Sequence, residues 1–167
     1  MQLIRCTQKL LKELNQNPID IEPEETIIGG WHANLLTIEN QKCALIVNDS
    51  TLYTLFIPFL TKQEFQSFDM LFAQHLFKSL LNEDFSQNQI EAMLTEHQTI
   101  SYTKTNNRSV LGTMNEQKFQ AEGVFYDHGG IRNTPVYEVN RWLNRVILGA
   151  IDYECPLDMM KKKLKEI

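Results

Sequence analysis

The chain has 167 residues, 43% hydrophobic and 22% charged, with 16 Lys and Arg against 21 Asp and Glu and a formal net charge of -5. That length and balance suit one folded domain able to close a core without staples, and they exclude a disordered segment. The acidic excess argues against a general affinity for the DNA backbone or an anionic membrane.

In chain order, Met1 to Arg5 reads as a short strand and Thr7 to Leu14 as a helix. Thr7 is the expected N-cap, and Leu10, Leu11 and Leu14 form the buried stripe. Arg5, Lys9, Lys12 and Glu13 interrupt this opening segment, so it does not read as a signal peptide. No apolar run reaches the roughly 20 residues of a membrane helix. Cys6, Cys43 and Cys155 are too few and too scattered for a disulfide framework or a zinc site. A reducing, cytoplasmic setting with no membrane partner is expected.

Asn15 to Thr26, with two prolines and several acidic residues, reads as a loop. Trp31 to Ile38, Cys43 to Asn48 and Leu52 to Phe59 read as strands joined by short polar turns, which favours an antiparallel meander. Ala44 to Val47 is apolar on both faces, as a central strand should be, and Pro58 marks a strand end.

Capping boxes at Thr61/Glu64 and Ser86/Gln89 open two helices, the first with Phe65, Phe68, Phe72, Leu76 and Leu80 on its inner face. Gln98 to Lys104 alternates like a fourth strand. A helix over about Ser109 to Phe125 follows, with Gly112 as a candidate break and Thr113 with Glu116 as a candidate second cap. Asp127 to Gly130 is a turn. Thr134-Pro135 opens a further helix, with Val136, Val139, Leu143, Val146 and Ile147 expected on one face. Cys155-Pro156 opens a last short helix with a Lys-rich tail. The expected fold is α+β: a single, mainly antiparallel sheet of about four to five strands with helices packed on it, in one domain over residues 1–167.

The stretch from Thr105 to Asn115 is the leading site candidate. It gathers hydroxyl and amide side chains and one guanidinium at a strand-to-helix junction, where free backbone N–H groups suit an anion. Asn106 or Asn107 is the expected cap. Arg108 then stands in the first turn, where the helix dipole disfavours a cation unless an anion or a carboxylate of the fold supplies the missing charge. Ser109 and Asn115 extend the polar surface. Trp31 and Ala33 point to one face of their strand, His32 and Asn34 to the other. Asn34 is expected to reach a loop, the Asn106–Arg108 segment being one candidate, and Trp31 is either core packing or a stacking platform beside Arg108.

Four histidines, His32, His75, His97 and His128, share no metal-ligand spacing, so neither metal nor cofactor is expected. Asp127-His128 offers a base and its orienter, although a turn explains both residues. Cys6 precedes a helix N-terminus, where a thiolate is favoured, but it reads better as a small buried residue. The lysines at 161–163 and 165 read as a solvated tail. No Walker loop, GxGxxG, HExxH or GxSxG motif occurs.

Four ordered strings, Cys6–Leu11, Gly30–Leu36, Val47–Leu52 and Thr105–Asn115, together resemble an uncharacterised family of small bacterial proteins classed as a domain of unknown function. The resemblance covers about residues 1–116, leaving 117–167 as C-terminal helices outside it. It implies no catalytic assignment, only that these segments form one unit. It also makes His32, which stands where an aromatic residue is more usual, a poor choice for essential chemistry.

The function expected from these residues is a non-enzymatic binding module for a polar or anionic partner: an anionic small molecule, a nucleic acid or a protein. Its ligand-binding residues would be Arg108, Asn106, Asn107, Ser109 and Asn115, with Thr7, Lys9, Asn34 and Trp31 in support. The alternative is a small hydrolase acting on phosphodiesters or nucleotides, with Arg108 stabilising charge and His128 as base.

Overall fold

In the computed structural model, which describes residues 1–167, five strands form one sheet in the order β4-β3-β2-β1-β5. The strands are β1 (Gln2–Cys6), β2 (Trp31–Ile38), β3 (Gln41–Asn48), β4 (Thr54–Ile57) and β5 (Ile100–Lys104). The helices are α1 (Gln8–Leu14), α2 (Lys62–Gln66), α3 (Phe68–Asn82), α4 (Gln87–Glu96), α5 (Arg108–Asp127), α6 (Val136–Leu143) and α7 (Pro156–Lys163). The α+β architecture read from the sequence is the one observed.

The sheet has two halves. Strands β2, β3 and β4 form the expected antiparallel meander. Glu39 and Asn40 close the first hairpin with φ of 49° and 64°, the two left-handed residues of a type I′ turn that follows the strand twist. Strand β1 runs parallel to both of its neighbours, β2 and β5. Parallel pairing needs a crossover, which α1 supplies between β1 and β2.

Period-two alternation divides the apolar side chains between two cores. Ile4, Trp31, Ala33, Ala44 and Ile46 face α1, α3 and α4, while Leu36, Cys43, Leu45 and Val47 face α5 and α6. Helix α3 adds Phe68, Phe72, Leu76 and Leu80 to the first core, the four-residue spacing of one buried stripe. Trp31 meets Phe72 edge-on at 5.2 Å between ring centroids.

Strand β4 lies at the sheet edge, and α6 closes it. Asn144 Oδ1 accepts the Thr54 N–H at 2.7 Å, Asn140 Oδ1 accepts the Phe56 N–H at 2.8 Å, and Asn144 Nδ2 donates to Thr54 O at 2.9 Å. Two asparagines one helical turn apart thus replace a missing strand and satisfy buried backbone groups that would otherwise stand unpaired.

Both capping boxes form as expected. Three expectations change. The helix begun at Thr61 divides at Ser67 into α2 and α3. Helix α5 runs through Gly112 unbroken, because the Thr113 hydroxyl donates back to Ser109 O rather than capping a new helix. Helix α6 ends at Leu143, so Val146 and Ile147 fall outside it and Ile147 is exposed. No helix is long and apolar enough to cross a membrane.

Candidate functional site

Strands β1 and β5 are adjacent and parallel, with Cys6 opposite Lys104 as their last registered pair. Past Cys6 the chain turns into α1 on the face of the first core; past Lys104 it turns into α5 on the face of the second. Two parallel neighbours whose following helices leave in opposite directions open a crevice outside their carboxyl ends, the usual place for a ligand in sheets of this kind. The polar strings of the sequence, Cys6–Leu11 and Thr105–Asn115, begin at that crevice.

Thr7 occupies the N-cap position of α1, yet its side chain does not cap the helix. Its backbone N–H donates to Ala33 O at 3.0 Å and its hydroxyl to Asn34 Oδ1 at 2.9 Å. Asn34 is thereby held against Thr7, not against the Asn106–Arg108 segment. The residue that does reach that segment is His32.

His32 is fully buried. Its Nδ1 lies 2.6 Å from Asp49 Oδ1, and its Nε2 accepts the Asn106 N–H at 3.4 Å. Both contacts are satisfied by one neutral tautomer, with the proton on Nδ1 donated to Asp49. The Asp49–His32–Asn106 chain ties the β3–β4 connection to the start of the α5 junction. The period-two pattern already put His32 on the face away from Trp31; what hid its part was the setting aside of His32 as an atypical residue.

The N-terminus of α5 is largely closed on itself. Asn107 Oδ1 accepts from both Ser109 N–H, at 3.0 Å, and Val110 N–H, at 3.2 Å. Donors expected to be free for an anion are therefore taken by the cap and by His32. What remains available is charge: the Arg108 side chain is exposed and pairs with no carboxylate, and neither do Lys9, Lys12 and Lys104.

A groove of about 610 Å³ runs beside α1 at this end of the sheet, walled by Gln8, Lys12 and Gln16 on one side and by Pro18, Lys104 and Thr105 on the other, with Cys6 and Leu11 in its floor. No lining residue is acidic. Burial pushes the Cys6 thiol up to about 12, so it contributes shape rather than a thiolate. Lys12 and Lys104 were not singled out in the sequence because each reads alone as a solvated charge; only the pairing of β1 with β5 sets them across one groove.

Three candidates lie elsewhere. Trp31 is fully buried, donates Nε1–H to His97 Nε2 at 2.9 Å and has no face free for a partner. Asn115 is exposed two turns into α5, beyond the junction. His128 caps the far end of α5, with Nδ1 2.9 Å from Val124 O. A 20-residue helix separates it from the Arg108 backbone by about 30 Å, so these two cannot share a substrate. Of the C-terminal lysines, Lys162 is paired with Glu154.

Comparison with known sequences places this geometry in a family. The pattern described as a domain of unknown function (DUF6933) matches residues 3–159, and the chain belongs to that family. The match runs past Glu116 and takes in the C-terminal helices through the start of α7. No curated protein matches the chain.

Proposed function

We propose that this chain is a non-enzymatic binding module that takes the phosphate or carboxylate groups of an anionic partner along the groove beside α1. Lys12 and Lys104 supply the charge within the groove. Lys9 and Arg108 stand in the first turns of the two flanking helices and extend the positive field. Asn106, Asn107 and Ser109 offer polar contacts at the rim, while Thr7 and Asn34 hold the end of the sheet in shape.

The observation that supports this reading is a local inversion of charge. On a chain of net charge -5, Lys12 and Lys104 are the only charged residues lining the groove and neither has an ion-pair partner. Like charges left uncompensated across a groove repel, and an anion between them removes that cost while gaining charge-assisted hydrogen bonds. A hydrolase at this end of the sheet lacks a base: His32 is buried with both ring nitrogens engaged, and His128 is remote.

The test is binding of a fluorescein-labelled single-stranded oligonucleotide and, in a separate arm, a labelled poly-glutamate peptide, read by anisotropy. The two arms identify the class of partner. The reading expects saturable binding in at least one arm, weakened by salt, and a loss of roughly tenfold in the Lys12→Gln/Lys104→Gln variant. Affinity unchanged by that double substitution, or no binding in either arm, contradicts it.

A further inference from the structure

Helices α3 and α6 meet over the edge of β4 and enclose a second, smaller pocket of about 220 Å³, remote in sequence from the lysine-lined groove. Helix α3 contributes His75, Lys78, Ser79 and Asn82 at spacings of three and four, and α6 contributes Tyr137, Asn140 and Arg141. The asparagine pair that closes the β4 edge is unequally used. Asn144 donates both of its amide hydrogens, to Thr54 O and to Asn140 O, each at 2.9 Å. Asn140 is only 8% exposed, and its Oδ1 is fixed by the Phe56 N–H, yet its Nδ2 has no partner in the protein and the residue lines the pocket. That nitrogen is not sealed from solvent, so the donor opens on the pocket, where water or a bound acceptor can take its hydrogen bonds.

The charges around that amide point the same way. Lys78 makes no ion pair. Arg141 gives one N–H to the Tyr137 hydroxyl at 2.8 Å and lies 6.0 Å from that ring's centroid, which steadies the guanidinium and leaves its other donors free. The one acidic residue of the lining, Glu83, is clamped by both terminal nitrogens of Arg145 at 2.8 and 2.7 Å, so its charge is already met. The groups in the pocket free to meet an anion are therefore the Asn140 amide and two cations, with the Asn82 amide and the His75 ring also unpaired.

We propose that the pocket between α3 and α6 binds a small oxyanion, a carboxylate or a phosphate group, held by Asn140 Nδ2, Lys78 Nζ and the Arg141 guanidinium. Asn140 supplies direction, since its amide is fixed by the sheet edge. The two cations supply charge from opposite helices, so an occupant also braces α3 against α6. The inference is independent of the groove beside α1.

The experiment is a titration of the intact ¹⁵N-labelled chain with sodium phosphate and, in a separate arm, sodium acetate, at ionic strength matched with sodium chloride. The Asn140 side-chain amide is the reporter. The proposal expects a saturable shift of that signal in one arm or both, with the tighter arm naming the anion. The Lys78→Gln/Arg141→Gln variant, changed only at exposed positions, should weaken binding roughly tenfold or more, as loss of charged hydrogen-bond donors does. Lys12→Gln/Lys104→Gln should leave it unchanged. No saturable shift in either arm, an equal response to chloride alone, or unaltered affinity in Lys78→Gln/Arg141→Gln overturns the proposal.

Discussion

His32 joins Asp49 to the Asn106 backbone through opposite ring nitrogens, at 2.6 Å and 3.4 Å, while having no exposure to solvent. The ring is a strut between the β3–β4 connection and the polar junction that begins α5. Buried with both ring nitrogens engaged, it fixes where the exposed polar residues of the junction begin.

Replacing His32 with Phe keeps the bulk and removes both hydrogen bonds. We expect a loss of about 1–3 kcal/mol in unfolding free energy, since the Asn106 N–H and the Asp49 carboxylate lose their buried partner. Hydrogen exchange at the Asn106 amide should accelerate by more than the global change. An Asn106 amide with unaltered relative protection shows that the ring does not hold it.

His97 gives the chain a defined acid response. Trp31 Nε1–H donates to its Nε2 at 2.9 Å and its Nδ1 lies 2.6 Å from Met93 O, so the buried ring is held neutral and its pKa is pushed down to about 4 by burial. In the unfolded chain the ring takes a proton near its ordinary value of 6.5. The unfolded state then binds the extra proton between those two values, so stability falls as pH drops from 6.5 to about 4 and levels off below that. The contribution is at most about 3 kcal/mol. Urea midpoints at pH 7 and pH 4.5 should diverge less in His97→Gln than in the wild type; an equal divergence places the acid response elsewhere.

Asn144→Leu should expose how much the β4 edge depends on α6. The substitution leaves both the N–H and the C=O of Thr54 without partners in a buried setting, a cost of about 2–4 kcal/mol. It also uncovers an edge that can pair with another chain, so a new dimer or larger species is expected by size exclusion. A monomer as stable as the wild type contradicts the edge-closing assignment.

Gly112 lies inside an unbroken α5, exposed, with no heavy atom within 4 Å of an added Cβ. Gly112→Ala should therefore raise stability by about 0.5–1 kcal/mol through better helix propensity and a less flexible unfolded chain. A loss of stability means that the helix needs the glycine, as a break there would.

Much of the fold was legible because it rests on local rules. The capping boxes at Thr61 and Ser86, the alternation of β2 and the turn before β3 each depend on residues close in sequence. The parallel pairing of β1 with β2 and β5 was not legible, since nothing in Gln2–Cys6 names a strand that begins near residue 100. The same limit applies to the sites. Spacing gave the α1 stripe and narrowed the α5 cap to Asn106 or Asn107, of which Asn107 is the one that caps. The meeting of Lys12 with Lys104, and of Lys78 with Arg141 around Asn140, arises from contacts across most of the chain. For Trp31 the sequence offered core packing or a stacking platform, and its strand face leads into the first core, as the former requires.

The most direct test of the anion-binding account is an amide shift map of the ¹⁵N-labelled chain titrated with the oligonucleotide or poly-glutamate probe that binds. The account predicts that Gln8, Lys12, Lys104, Thr105 and Arg108 move together and saturate at one affinity, while Asn115 and His128 stay still. Shifts centred away from β1, α1 and the β5–α5 junction, or scattered over every exposed lysine, would contradict it.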